Sequence, residues 1–187
     1  MNMNAWGKTL LTVQKYLERV TKAIDSLIFK RALSSGYVST RNITEQSAYS
    51  VSQNIIGLSE RKINLININT ICFNALKGID KISAKILILK FIDGFQSSEI
   101  AELLGISDRT YYRKLNLAYS ELGVWLSKNN FSDRYFKEKY KNEGWILDVY
   151  NKNKSDINKK DEYINEDVIK NAIKGLNKFK CREEMDF

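Results

Sequence analysis

Residues 97–122 carry two apolar patterns at helical spacing with a single glycine between them. The first pattern consists of Ile100, Leu103 and Leu104. Gly105 follows, and glycine ends a helix in the left-handed conformation without a steric penalty from Cβ. Ser107 is a good N-cap for the next helix. The second pattern recurs at i, i+4, i+7 and i+11, namely Tyr111, Leu115, Ala118 and Leu122. The stretch therefore predicts a helix-turn-helix whose corner is closed by Ile106.

The outward face of the second predicted helix is rich in cations and hydrogen-bonding side chains. Its residues, with the capping serine, are Ser107, Asp108, Arg109, Thr110, Tyr112, Arg113, Lys114 and Asn116. Such a face is typical of a recognition helix that enters the major groove of double-stranded DNA. The alternative is an ordinary solvated helix face. We predict that these residues bind DNA, with Asp108 either a cap-region residue or an acceptor for a cytosine amino group.

A longer pattern surrounds this motif. It comprises Ile79, the run Ile86 to Leu89, Phe91-Ile92-Asp93-Gly94, Glu99-Ile100-Ala101-Glu102, Leu104-Gly105-Ile106-Ser107, and then Leu115, Ala118 and Leu122. The segment resembles region 4 of the sigma-70 family, especially its small extracytoplasmic-function-type members. That resemblance implies a domain that reads the promoter −35 element and contacts RNA polymerase. Asp80 stands where the family usually has proline, and Gln96 where it has a capping serine, a role that Ser97 could take.

The composition limits the classes of function that the chain can have. The 187 residues carry a net charge of +8, which favours a polyanionic partner. Histidine is absent, and with it the commonest general base and metal ligand. The carboxylate pairs Asp161-Glu162, Glu166-Asp167 and Glu183-Glu184 lie in a charged tail. We therefore expect no catalytic residues, no metal and no cofactor. Cys72 and Cys181 form no paired motif, and Cys72 is expected to be a small buried hydrophobe.

The N-terminal third predicts two long helices. The first has a heptad-like stripe of Trp6, Leu10, Val13, Leu17, Val20, Ile24 and Leu27. A loop is expected over 34–42, and a second helix from about Thr44 with the stripe Ala48, Val51, Ile55, Leu58 and Leu65, broadened by Ile56, Ile63 and Ile66. The run 63–71 alternates apolar residues with asparagine, which also fits a strand, but we expect helix. The stripe on the first helix predicts either packing against the second helix or a homodimer.

The C-terminal part predicts further helices. The second helix of the motif is expected to reach Lys128 and to end at Asn129-Asn130, after which Ser132 caps a helix. Five apolar residues there should fold back onto the body: Phe136, Tyr140, Trp145, Ile146 and Val149. Residues 151–160 predict a flexible linker. A last amphipathic helix is indicated by Ile164, Val168, Ala172, Ile173, Leu176 and Phe179.

Together these patterns predict an all-α chain: a long N-terminal helical hairpin (1–78), a helix-turn-helix domain (79–128), a packing segment (129–150) and a charged tail (151–187). The layout is similar to phage-type transcriptional regulators of low-GC bacteria. The function expected is sequence-specific transcriptional regulation at promoters, in the cytoplasm and without membrane contact. Two alternatives remain open: a divergent sigma factor that binds core RNA polymerase, although promoter-melting region 2 has no recognisable equivalent, and a non-catalytic helical interaction module.

Overall fold

In a computed structural model the chain is described over residues 3–38 and 45–155 and at residues 170, 172 and 173. All secondary structure in these residues is helical, so the predicted all-α class is confirmed. The seven helices are α1 (Met3–Val38), α2 (Glu45–Lys77), α3 (Lys81–Phe91), α4 (Ser97–Leu103), α5 (Asp108–Lys128), α6 (Asp133–Lys139) and α7 (Gly144–Ser155).

Helices α1 and α2 form an antiparallel pair. The Gln14 side chain donates to the carbonyl of Ile68 at 3.4 Å, while Lys62 reaches Asp25 at 2.6 Å, so the two helices run in opposite directions. The predicted stripe on α1 is buried from Trp6 to Ile24, and it packs inside the chain against Leu58, Leu65 and other residues of α2. This burial occupies the face through which the sequence allowed a homodimer.

Three expectations for the hairpin are wrong. Residues 34–38, expected in a loop, continue α1, because a helix tolerates Gly36 and no proline is present to break the backbone hydrogen bonds. Ile56, Ile63 and Ile66 do not broaden the buried stripe of α2, since each is about half exposed. Ala48 is also exposed. The run 63–71 is helical, as expected.

Helix α1 is shared by the hairpin, the helix-turn-helix and the C-terminal helices. It contacts α2, α3, α5 and α7. Its first turns lie against α5 so closely that a Cβ on Gly7 would fall 2.8 Å from Cδ2 of Leu122, and one on Gly123 would fall 2.2 Å from Oδ1 of Asn4. Glycine at both positions therefore permits this close helix–helix approach.

The C-terminal helices fold back onto the hairpin, as predicted. Helix α5 ends at Lys128, and the hydroxyl of Ser132 accepts a hydrogen bond from the Tyr135 amide at 3.0 Å to cap α6. The five predicted apolar residues are all buried. Trp6 of α1 stacks on Phe136 at 4.7 Å and on Tyr150 at 4.1 Å between ring centroids.

Residues 151–155 are helical and extend α7, so the predicted linker is wrong over that part. Of the predicted last helix, Ala172 and Ile173 are described; both are helical and Ala172 is buried in the core cluster that contains Trp6 and Leu58. The other apolar residues predicted for that helix, the linker residues 156–160, loop residues 39–42, Thr44, Cys181 and the carboxylate pairs lie outside the described residues.

Candidate nucleic-acid interface

The turn between α4 and α5 has the geometry that the sequence predicts. Gly105 lies at φ +62°, in the left-handed region. The Ile106 amide donates to the carbonyl of Ala101 at 3.0 Å and the Gly105 amide to that of Glu102 at 3.0 Å, which is the Schellman pattern of helix termination. The Ser107 hydroxyl accepts from the Thr110 amide at 3.3 Å and caps α5. These contacts fix the angle at which α5 leaves the turn.

The two residues that depart from the family pattern, Asp80 and Gln96, each cap the start of a helix. The Asp80 carboxylate accepts hydrogen bonds from the amides of Ile82 at 2.9 Å and Ser83 at 3.2 Å, so it caps α3 where a proline is usual. Gln96 occupies the N-cap position of α4, and its backbone N–H donates to the Glu99 carboxylate at 2.6 Å. Ser97, considered as the cap, is instead the first helical residue.

One residue of the predicted apolar face on α4 is exposed and not buried. Ile100 and Ala101 are buried and Leu104 is half-buried, but Leu103 is 59% exposed. The helix is seven residues long, and its buried side is set by Ile100, Ala101 and Leu104, which leaves Leu103 on the outer side.

Helix α5 divides into a buried and an exposed face as predicted. Its stripe Tyr111, Leu115, Ala118 and Leu122 is buried against α3, α4 and the end of α2. Six of the predicted interface residues are exposed: Ser107, Asp108, Arg109, Tyr112, Arg113 and Asn116. Thr110 and Lys114 are half-buried, and the Thr110 hydroxyl lies 3.0 Å from that of Ser107. The buried stripe thus anchors a rigid helix whose first turns present these side chains outward.

Three cations lie close together at the start of α5. Residues 79–128 contain seven lysine or arginine residues and six carboxylates, so the region as a whole is almost neutral. Three of the seven cations, Arg109, Arg113 and Lys114, lie in the first two turns of α5. Within the described residues, none of these three side chains forms an ion pair. Other cations there do, for example Lys22 with Glu18 and Lys137 with Asp133. The charges of the three α5 cations remain available to an anion.

Lys90 of α3 adds a cation that the sequence pattern did not single out. Its Nζ lies 3.5 Å from the Tyr111 hydroxyl and 5.9 Å from the centre of that ring, so it adjoins the first turn of α5. Sequence reasoning missed Lys90 because it lies 21 residues before Tyr111, on a separate helix that also carries Lys81 and Lys85. The basic residue in the last turn of α3 was the signal that could have found it.

Comparison with protein families decides the identity of this region. The family model of sigma-70 region 4 matches residues 74–122. Residues 74–122 are a sigma-70 region 4-like helix-turn-helix domain. The match covers the last residues of α2, all of α3 and α4, and α5 as far as Leu122. No curated protein and no solved structure matches the chain.

The prediction for Cys72 also has a structural outcome. Cys72 is buried, and burial raises the pKa of its thiol to about 12, so the side chain is an inert hydrophobe as expected. Among the residues that the structure describes, no His, Cys, Asp or Glu cluster is arranged to hold a metal ion. None of the described helices is both long and apolar enough to cross a membrane.

Proposed function

We propose that this protein is a sequence-specific DNA-binding transcriptional regulator that acts at promoters, with α5 as its recognition helix. The observation that carries this proposal is the division of α5 into a buried stripe and an exposed face. Arg109, Tyr112, Arg113 and Asn116 are exposed on the first turns of a helix that the Tyr111–Leu122 stripe holds rigidly. The major groove accepts a helix and distinguishes all four base pairs, so this face is suited to reading sequence.

The side chains divide into two roles. Arg109 and Arg113 lie one turn apart on one face, so both can reach the same groove, where arginine pairs with the two acceptors of guanine. Lys114 is half-buried and lies further round the helix, which favours a phosphate contact. Lys90, beside the first turn of α5, is suited to a second phosphate contact. Because residues 79–128 are almost neutral overall, these few cations would supply most of this domain's attraction to DNA.

A binding experiment tests this function. Duplexes selected from a random pool with the full-length protein would be compared with unselected duplex by fluorescence anisotropy. Replacing Arg109 and Arg113 together by alanine should remove the preference for selected duplex. The matched control is Arg134→Ala on α6, a side chain that is 87% exposed and lies on a different helix, 21 residues after Arg113; it should keep the preference. Equal binding of both duplex classes by the wild-type protein contradicts the proposal.

The match to sigma-70 region 4 also supports a second candidate, a divergent sigma factor that binds core RNA polymerase. Transcription from a selected promoter with core polymerase and this protein alone distinguishes a sigma factor from a regulator that needs another sigma factor. If the wild-type protein binds no duplex, a non-catalytic interaction module is the remaining function. Either promoter-binding role places the protein in the cytoplasm.

A further inference from the structure

The outward face of α2 carries large apolar side chains that remain about half exposed, although Nζ of Lys77 lies 4.4 Å from the centre of the Phe73 ring. Five of them are between 47% and 61% exposed: Tyr49, Ile56, Ile63, Ile66 and Phe73. They lie on the side of α2 opposite Leu58, Leu65 and Ile68, which are completely buried against the rest of the chain. Helix α2 is therefore apolar on two opposite faces, whereas a surface helix of a monomer has one apolar face. We call these five residues the α2 outer seam.

The spacing of the outer seam is that of a coiled coil. Tyr49, Ile56 and Ile63 are seven residues apart, and Ile66 and Phe73 repeat seven residues apart three positions later. These are the a and d positions of a heptad repeat, with β-branched isoleucine at two a positions. The remaining d positions are Ser52 and Ser59, whose hydroxyls donate to the carbonyls of Ala48 at 3.0 Å and Ile55 at 2.9 Å. Burial of these two serines would therefore leave neither of their hydroxyl donors unpaired. The remaining a position is the exposed Thr70, which the antiparallel register below sets against Ser52.

The outer seam is also almost free of charge. Helix α2 contains five charged residues, Glu45, Glu60, Arg61, Lys62 and Lys77. Between residues 48 and 76 of α2, Arg61 is buried on Glu143 and the partly exposed Lys62 is paired with Asp25, so among the described residues Glu60 is the one charged side chain of this stretch that is neither buried nor in an ion pair. In a protein of net charge +8 this neutral surface does not suit nucleic acid. It suits an equally neutral, apolar helix.

We propose that the outer seam binds the same seam of a second copy of this chain, as an antiparallel helix pair with two-fold symmetry. In an antiparallel pair an a position meets a d position. Centring the pair on position 61 sets Tyr49 against Phe73 and Ile56 against Ile66 of the other copy. The same register sets position 77, a lysine, opposite position 45, a glutamate. A parallel pair would set lysine against lysine and glutamate against glutamate, so charge complementarity selects the antiparallel arrangement.

The size of the seam sets the strength of this dimer. The 24-residue step from Tyr49 to Phe73 corresponds to ~36 Å of helix, and a strip ~10 Å wide covers on the order of 400 Å² per copy. Standard protein interfaces bury about 800 Å² per partner, so the pair belongs to the class of weak, reversible associations. The dimer therefore forms as concentration rises instead of being permanent.

Sedimentation equilibrium on the full-length protein without DNA tests the proposal, and its result does not depend on whether α5 binds DNA. From roughly 1 to 200 µM, the range of a weak interface, the mean mass should rise from the monomer mass of 21.7 kDa towards twice that value. Ile56→Glu should stay at the monomer mass over this range, because each interface would bury two unpaired carboxylates. The matched control is Ile82→Glu: Ile82 and Ile56 are both 50% exposed isoleucines in helices, and only Ile56 lies on the seam.

Several outcomes overturn the proposal. A wild-type protein that stays at 21.7 kDa at 200 µM contradicts it, as does equal weakening of the dimer by both variants. A monomer in which Ile56→Glu lowers the melting temperature more than Ile82→Glu would mean that the chain's own tail covers the seam, which also refutes it.

Cysteine cross-linking tests the direction of the pair. Ile56→Cys and Ile66→Cys would be made separately, on chains of different tag length in which Cys72 is alanine and Cys181 is serine. A mixture of the two should form a disulfide-linked heterodimer on mild oxidation, and neither variant should link to itself. Self-linked Ile56→Cys would show a parallel pair and overturn the antiparallel register.

Discussion

The guanidinium of Arg61 on α2 holds the carboxylate of Glu143 in a buried, two-bond ion pair. Nε of Arg61 lies 2.7 Å from Oε1 of Glu143, and Nη2 lies 3.1 Å from Oε2. The indole of Trp145 donates to the same carboxylate at 3.0 Å. These contacts attach the residue that precedes α7 to the middle of α2, 82 positions earlier in the chain.

Glu143→Ala should therefore destabilise the fold strongly. It would leave the Arg61 charge buried without a partner, and breaking one half of a buried ion pair typically costs ~3–5 kcal/mol. Urea unfolding followed by circular dichroism measures the loss. The control is Glu138→Ala, whose partner Arg134 is 87% exposed at its side chain, so that change should cost no more than ~1 kcal/mol. A loss at Glu143 as small as that at Glu138 would contradict the buried pair.

Asp133 should make the stability depend on acid. Burial raises the pKa of Asp133, but hydrogen bonds from Lys137, Tyr150 and Trp6 outweigh it and lower the pKa to about 2, against an ordinary value of 3.8. Because the folded pKa is the lower one, the carboxylate's contribution is complete above about pH 4 and is lost as the pH falls towards 2. Urea midpoints at pH 5, 3 and 2 measure this effect.

Asp133→Asn is the control for that pH dependence, since it cannot titrate. The difference in stability between wild type and Asp133→Asn should shrink from pH 5 to pH 2. A difference that stays constant over this range would show that the Asp133 carboxylate titrates at its ordinary pKa in the folded protein.

Gly105→Val should destabilise the helix-turn-helix through the backbone alone. A Cβ at Gly105 would meet no atom within 4 Å, so the cost comes from φ +62°, which a β-branched residue rarely adopts. We expect a loss of about 1–3 kcal/mol in thermal or urea unfolding. Gly144→Ala is the matched control, because a Cβ there also meets nothing and the residue lies in a helix without positive φ. An unchanged melting temperature for Gly105→Val would refute the conformation of the turn.

Arg113→Ala and Lys114→Ala should affect DNA binding differently. Arg113 is assigned to a base pair, so its loss should cost ~1–3 kcal/mol on selected duplex and relax preference at one position. Lys114 is assigned to phosphate, so its loss should weaken all duplexes alike and reduce the salt slope by about one charge. Anisotropy titrations at several salt concentrations separate the two effects. Wild-type binding by both variants would remove α5 from the DNA interface.

Leu17→Asp tests whether the α1 stripe packs within the chain. Leu17 is buried, so an aspartate there should cost more than ~3 kcal/mol through an unpaired buried charge. The mass measured by light scattering before unfolding should not change. Arg19→Asp is the control, since Arg19 is exposed on the same helix. A stable Leu17→Asp variant of lower mass would instead place this stripe between two copies.

The sequence alone determined the helix-turn-helix, because the signals that define it are local. The left-handed Gly105, the Ser107 cap and the buried positions of α5 act within a few residues of one another, and the structure has each of them as predicted. The cap of α4 was the exception: Gln96 occupies the site, with Glu99 bonded back to its amide, a pairing that a search for serine overlooks.

The tertiary structure decided which of the two apolar faces of α2 is buried and which distant segments of the chain contact each other. Ile63 and Ile66 look like core residues in a pattern of isoleucines, yet the partners of α2 lie on its other side. The Trp6 indole donates to Asp133 at 2.8 Å across 127 positions. Periodicity shows which residues of one helix share a face. Periodicity carries no information about which helix covers that face. The choice depends on packing between segments that are distant in sequence, and the net stability of that packing is a small difference between large terms summed over the whole fold.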